Sequence, residues 1–437
     1  MSSGQILTFP ECARPRAQPA PTLLVGLKIL KSFRLRTLLR PGTGALRAYC
    51  FAAMLWVGSA HASPADPLPS SHSEWLDSDT GHRIVRLSHL PNRSESFYFH
   101  QNAFTSDGDK MVFSVFTGER SRQLNVLDWR TRKFAPLTPE ISGRGEIVSA
   151  KKRLCYYTRS GTVYESSLDG GDAREVARLP LTWPISTLNA DRTLLAGTFV
   201  ESGPQIDVSG PKSSWFDKVY EAKRPQQLFT VEVATGKTNL IHRYEGWLGH
   251  VQFSPVDPGL LMFCHEGPWH LLDRIWQIRT DGTGLRLMHK RTMPMEIAGH
   301  EFWSPDGKTV WFDLQMPKGE RFFLAGVDIA TGKEIRYPVD RDLWSVHFNV
   351  SRDGKLFAGD GGAPNMVAHA ANGKWLYLFN PQADGTLKSE RLVNMSKHDY
   401  TLEPNVQFTP DGKWIVFRAN FEGVAQVYAV EVAKSSG

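Results

Sequence analysis

The chain has 437 residues, 41% of them hydrophobic and 22% charged, with a negative mean hydropathy; this supplies a sizeable core and excludes a disordered chain and a polytopic membrane protein. The formal charge of +6 comes from the N-terminus, where residues 1–62 carry eight basic residues against one acid, Glu11, leaving 43 basic and 44 acidic residues beyond them. A near-neutral body gives no electrostatic basis for a nucleic-acid partner.

The basic stretch ending at Arg47 runs into the apolar segment Ala48–Ala60 and then Ala60-His61-Ala62-Ser63, the small-residue spacing that a signal peptidase reads. The apolar segment is shorter than the roughly 20 residues that span a bilayer. Residues 1–62 are therefore expected to be a signal peptide cleaved after Ala62. That leaves a periplasmic or secreted protein with no membrane span and one domain over 63–437. Cys12 and Cys50 leave with the presequence; Cys155 and Cys264 remain, enough for one disulfide but not for a cysteine framework or a zinc knuckle.

Past a first short strand, Arg83–Leu87, the chain repeats one phrase: Phe104-Thr-Ser-Asp-Gly108, Phe253-Ser-Pro-Val-Asp257, Trp303-Ser-Pro-Asp-Gly307, Val350-Ser-Arg-Asp-Gly354 and Phe408-Thr-Pro-Asp-Gly412, with a weaker copy at Leu188-Asn-Ala-Asp191. Each precedes a short β-rich run, and Asp and Gly accept the turn dihedrals of a hairpin. Helical periodicity is absent beyond residue 65. The expectation is all-β: a seven-bladed β-propeller of four-stranded units in which Arg83–Leu87 completes the last blade and locks the ring. Lys212, Lys218, Lys223 and Arg224, with Trp215, are read as a solvated inter-blade insertion.

Three residues before the residue that opens each phrase stand Gln101, His250, His300, His347 and Asn405. Blade symmetry carries equivalent positions to one height around the axis, so these side chains are expected to meet in one central space. Imidazoles with amide or carboxylate oxygens suit a divalent ion such as Mn²⁺, Zn²⁺, Fe²⁺ or Ni²⁺ better than calcium. His398, Glu403 and Gln407 flank Asn405, and His100 adjoins Gln101. His265, His270 and Arg274 follow in Cys264-His-Glu-Gly-Pro-Trp-His-Leu-Leu-Asp-Arg274, where the guanidinium could hold a carboxylate bidentately.

At these residues the chain resembles the oligogalacturonate lyases. The resemblance rests on Trp247-Leu-Gly-His250, Cys264-His-Glu-Gly-Pro268 with Asp273, Arg274 and Trp276, His300-Glu-Phe-Trp303, and His347 ahead of Asp353-Gly354 with Gly359-Asp-Gly361. It runs from Phe97-Tyr-Phe-His-Gln-Asn102 to Val432. It implies a seven-bladed propeller enzyme that cleaves anionic pectic oligosaccharides by β-elimination with a Mn²⁺-type ion, and His300 as a metal ligand. Glu403-Pro404-Asn405 stands where the family has His-Pro-His, and Tyr400 replaces a family Gln. A rearranged, more oxygen-rich metal site is therefore expected from His300, His347, His398, Glu403 and Asn405.

Elimination on a uronate removes the C5 proton, and imidazole suits the base by its pKa. His250 is expected in that role with His265 second, and Arg274 as the carboxylate-binding partner. Gln101, Trp269, His270 and Gln407 are expected to contact the substrate, and the protein to act as a monomer. The alternative is a non-catalytic, TolB-like periplasmic propeller that binds a protein partner; it predicts an unremarkable channel and an exposed patch on one face.

Overall fold

The structure is a computed structural model that describes residues 74–434 apart from 120, 143–145 and 371–372. The expected presequence and its cleavage point lie outside the described residues. From Glu74 on, the chain builds seven antiparallel sheets, the blades of a propeller. Blades 1 to 6 start at Ser94–Glu95, Ile147–Ser149, Ile185–Leu188, Trp247–Phe253, Ile297–Trp303 and Phe348–Val350, and each proceeds outward in chain order. Blade 7 combines Gln407–Phe408, Trp414–Ala419 and Gln426–Lys434 with His82–Arg86 from the other end of the chain. Ile84 pairs with Val430, so the ring closes by the N-terminal strand as expected.

The repeated phrase is the hairpin that joins the first two strands of a blade. In blades 5, 6 and 7 the hydroxyl of Ser304, Ser351 or Thr409 donates to Asp306, Asp353 or Asp411 at 2.6–2.7 Å. Gly307, Gly354 and Gly412 then turn the chain at φ of 67–72°, a region that costs glycine little. Blade 2 lacks the phrase and turns through Arg153 at φ 55° instead.

Two expectations change. The basic stretch is a solvated insertion, its lysines exposed, but not an inter-blade loop: Lys212–Glu221 forms an α-helix inside blade 3, between Leu194–Val200 and Pro225–Glu232. Trp215, Phe216, Val219 and Tyr220 give it a short apolar face, and the rings of Trp215 and Phe216 lie 6.1 and 5.4 Å from Trp247. Cys155 and Cys264 are buried free thiols in blades 2 and 4, so no disulfide joins them. Among the described residues no helix is long and apolar enough to cross a membrane.

A cavity of about 480 Å³ runs along the axis, lined by inner-strand residues of all seven blades, among them Thr105, Val148, Thr187, Gln252, Phe302, Asn349 and Gln407. It reaches from the Asp-Gly turns to His100 and Gln101. His250, His300 and His347 precede these lining residues along the chain and are not part of the lining, so they lie beyond His100 and Gln101, toward the opposite face.

Ring closure rests on a buried apolar seam. Ile84 is 1% exposed within the cluster of Leu376, Ile415 and Val430, and Ile84→Ala is expected to remove about 2 to 5 kcal/mol of stability. Urea unfolding followed by tryptophan fluorescence reads this directly; an unchanged midpoint contradicts closure by this strand.

Candidate active site

On the inner strands of blades 4 and 5 the ladder slips between Gly249 and Gln252 and between Gly299 and Phe302. The residues at the slip, His250 and His300, both adopt φ 48°, and Asn405 takes φ 54° at the matching position of blade 7. A bulge breaks the strand's alternation and re-aims a side chain, at a cost of order 1 kcal/mol or more for a left-handed non-glycine residue. Here it turns two imidazoles toward the axis. Gly299 is required beside one of them, because a Cβ there would meet the Trp269 ring at 2.4 Å.

His300 and His347 are held alike. His300 Nδ1 lies 2.8 Å from Asp313 Oδ1, and His347 Nδ1 lies 2.7 Å from Asp360 Oδ2. A carboxylate only accepts, so each Nδ1 carries a proton, and in the neutral form of each ring it is Nε2 that keeps the lone pair. The two rings stand 4.5 Å apart at 72°. His347 Nε2 is buried with no hydrogen-bond partner, and Glu403 Oε2 lies 3.7 Å from it. Burial acts to lower the His347 pKa, but the charges of Asp360 and Glu403 outweigh it and the net shift is upward.

His250 is set differently. Its Nδ1 lies 3.3 Å from Glu301 Oε1, and Glu301 is shared with Arg274, whose Nε donates to Oε2 at 3.1 Å. Burial lowers the His250 pKa most and the Arg274 charge adds to this; Glu301 opposes them, and the ring settles at about 4. Burial would raise the Glu301 carboxyl, but Arg274 and His250 hold it at about 2. Arg274 also pairs with Glu266 at 2.9 Å and lies 4.6 Å from the centre of the Trp269 ring.

The turn Tyr98–Gln101 fills the axis beneath these groups. Phe99 stacks on His347 at 4.7 Å, Tyr98 meets His347 and His250 edge-on at 5.2 and 5.9 Å, and His100 lies 5.8 Å from His250. Burial, with the neighbouring His250, pushes His100 down to about 3.

The structure gathers His250, His300, His347, Glu403 and Trp269, and it moves seven expected residues to other tasks. Arg274 is 1% exposed between two carboxylates, so it anchors Glu301 and is not open to a substrate carboxylate. His265 stacks on Tyr244 at 3.7 Å, beside Trp276 and Phe263; its strand turns it away from His250. His398 cannot ligate, because one ring nitrogen meets the Leu402 carbonyl at 2.7 Å and the other accepts from the Asn420 N–H at 3.3 Å. Asn405 accepts from the Phe99 N–H and donates to the Glu403 carbonyl, so its amide pins the axial turn. Gln101 accepts from the Tyr98 N–H and Gln407 donates to the carbonyls of Tyr98 and Gln101; both hold that turn. His270 sits in the short helical turn Trp269–Leu271, where its carbonyl accepts from Arg291, with no contact to the histidine cluster.

Sequence reasoning missed Tyr98, Phe99, Glu301 and Asp313, and it left Asp360 undecided between a turn and a ligand histidine. A signal for two of these was present: Asp313 and Asp360 each follow their histidine by 13 residues, the length of one hairpin.

The donor set fits a divalent cation. Two imidazoles with carboxylate-fixed tautomers converge, one with an orphaned buried nitrogen, and a carboxylate stands beside it. Among the described residues no group of three or more His, Cys, Asp or Glu side chains already stands close enough together to hold a metal ion.

Fold and centre together define a β-propeller with a cluster of imidazoles and carboxylates at one end of its axis. The family model described as oligogalacturonate lyase matches residues 64–436, and the chain belongs to that family. It is 28% identical over 394 residues to the oligogalacturonate lyase of Dickeya dadantii, covering 84% of this chain and 98% of that protein. It is 27% identical over 401 residues to the oligogalacturonide lyase of Pectobacterium atrosepticum, with the same coverage. A solved structure of an oligogalacturonate lyase in complex with manganese superposes with a TM-score of 0.72 at 27% identity, covering 83% of this chain and 96% of that one. The oligogalacturonate lyase structure from Vibrio parahaemolyticus gives the same TM-score at 25% identity, covering 83% and 97%. Family membership sets aside the partner-binding, TolB-like alternative.

Asp313→Asn keeps the shape beside His300 and removes the charge that fixes its tautomer. It is expected to weaken Mn²⁺ binding by about 10- to 100-fold, measured by calorimetric titration at unchanged melting temperature. Equal affinity contradicts the role given to the carboxylate.

Proposed function

We propose that this chain cleaves oligogalacturonate-type uronides by β-elimination, with Mn²⁺ held by His300, His347 and Glu403. One observation carries the reading: two imidazoles with carboxylate-fixed tautomers converge beside a third, His250, whose depressed pKa keeps it unprotonated at neutral pH.

A divalent ion bound there supplies a Lewis acid that neutralises the uronate carboxylate beside C5 and so acidifies the C5 hydrogen. His250 takes that proton. Glu301, kept ionised by Arg274, lies against Nδ1 of the same ring and stabilises the imidazolium that forms. The half-buried Trp269 indole, edge-on to His300 at 5.2 Å and tied through its N–H to Glu266 at 2.7 Å, offers a fixed face for a sugar ring. The C4–O4 bond then breaks with the C5 electron pair forming the 4,5-double bond; the departing oxygen takes up a proton from water, giving a new hydroxyl end, and the imidazolium returns its proton to solvent. In the same proposal the protein is exported by its presequence to the periplasm or beyond, and works as a monomer because one propeller holds every group of the site.

Two measurements test this. With Mn²⁺ and digalacturonate the purified protein is expected to release a product with the absorbance of an unsaturated uronate, and His250→Asn to lower kcat by about 10²- to 10⁴-fold; absence of that product from the unaltered protein contradicts the proposal. Because the His250 pKa is depressed, its basic form persists above about pH 4 and is lost as pH falls through that value. At saturating Mn²⁺ the acid limb of kcat/KM is therefore expected near pH 4, and a limb near the ordinary imidazole value of 6.5 contradicts His250 as the base.

A further inference from the structure

The axial cavity is a second chamber that the elimination leaves without a task. The turn Tyr98–Gln101 separates it from the histidine cluster: His100 and Gln101 line the cavity, while Tyr98 and Phe99 meet His250 and His347 on the other side. Its far end lies among the Asp-Gly turns, where the exposed Lys151 and Arg352 line it. A volume of about 480 Å³ falls in the range of small-molecule sites, roughly 300 to 1,000 Å³.

The wall carries hydrogen-bonding groups that are fixed in direction and left open. Gln407 is 3% exposed, and its Nε2 donates to the carbonyls of Tyr98 and Gln101 at 2.8 and 2.7 Å. Those two carbonyls settle which end of the amide is oxygen, and Oε1 is buried with no partner, a costly state for a buried acceptor. Gln252, 6% exposed in blade 4, repeats the arrangement: its Nε2 donates to the Glu301 carbonyl at 2.8 Å, and nothing among the described residues donates to its Oε1. Thr187 accepts from the Phe253 N–H at 3.1 Å, which leaves its own hydroxyl hydrogen to give. Two acceptors and a donor on one wall suit hydroxyl groups, which serve both roles, better than a simple ion, which serves one. Val148, Phe253 and Phe302 supply apolar surface between them, as small-molecule sites do. Glu146, the one acid in the lining, is paired with Arg122. Arg352 donates to the Ser106 carbonyl at 2.7 Å, and the lining thus offers an anion two cations at the mouth and no unmatched acid.

We propose that the axial cavity is a second binding site, separate from the elimination, for one monosaccharide-sized sugar acid. Its hydroxyls meet Gln252, Gln407 and Thr187, and its carboxylate lies toward Lys151 and Arg352.

Calorimetric titration of D-galacturonate into the protein without Mn²⁺ tests this, with one equivalent expected to bind. Thr187→Phe puts a ring into the cavity and is expected to abolish that binding at unchanged melting temperature. Lys151→Met combined with Arg352→Met changes exposed side chains only and keeps the test open should the cavity variant unfold; it is expected to weaken binding about tenfold, the size of a partly exposed charge-assisted contact. D-Galactose, with a hydroxymethyl group in place of the carboxylate, is expected to lose the same factor on the unaltered protein and nothing further on the double variant. No binding of galacturonate, binding that survives Thr187→Phe in folded protein, or penalties of double variant and galactose that simply add each overturn the assignment. None of these readouts involves turnover, so a cavity that holds water alone sinks this inference and leaves the lyase reading standing.

Discussion

The hydrogen bonds from His300 to Asp313 and from His347 to Asp360 decide what the axis of this propeller can hold. A neutral imidazole offers either nitrogen as its lone-pair side, and two free rings 4.5 Å apart would sample both. A buried carboxylate behind each ring removes that choice and leaves both Nε2 atoms as acceptors or ligands. Asp313 lies in the second strand of the blade that carries His300, and Asp360 directly follows the second strand of the blade that carries His347. The orientation is thus written into a single hairpin, used twice.

The remaining charge is arranged around the same need. Glu301 and Glu266 are buried, and each would be costly alone in a low-dielectric interior. Arg274 lies between them, satisfies both, and is itself removed from solvent. The result is an ionised Glu301 against His250 with the imidazole still neutral. The proposed base and the proposed cation ligands are therefore the same residue type at the same strand position, distinguished by what stands behind each ring. A lone carboxylate holds Nδ1 of His300 and of His347, whereas the carboxylate beside His250 is already paired with arginine.

Much of the fold was legible because its turns are chemical. Asp-Gly phrases with a preceding Ser or Thr marked the hairpins, and the length of the repeating region suited seven or eight blades, of which the structure has seven although blade 2 turns through Arg153 with no such phrase. The shared register of His250, His300 and His347 was legible for the same reason. What failed depended on where lone pairs point. His398 and Asn405 carry ligand atoms near Glu403 in sequence, yet backbone groups of Leu402, Asn420, Phe99 and Glu403 take them up. Arg274 looked like a carboxylate clamp and is one, but for Glu266 and Glu301, partners that no sequence spacing announced. The helix Lys212–Glu221 was hidden because it has ten residues, begins after Pro211 without a side-chain cap, and has an apolar face that becomes meaningful only beside Trp247.

Glu403-Pro404-Asn405 departs from the His-Pro-His that the family resemblance implies, and the structure accounts for it internally. Asn405 pins the turn that carries Phe99, Phe99 stacks on His347, and His347 with Glu403 supplies a nitrogen and an oxygen in the same place. The account therefore stands on the position of one ion. An anomalous-difference map from crystals grown with Mn²⁺ tests it most directly: a single strong peak is predicted within bonding distance of Nε2 of both His300 and His347 and of the Glu403 carboxylate. A peak beside His398 instead, or none at the axis, would contradict it.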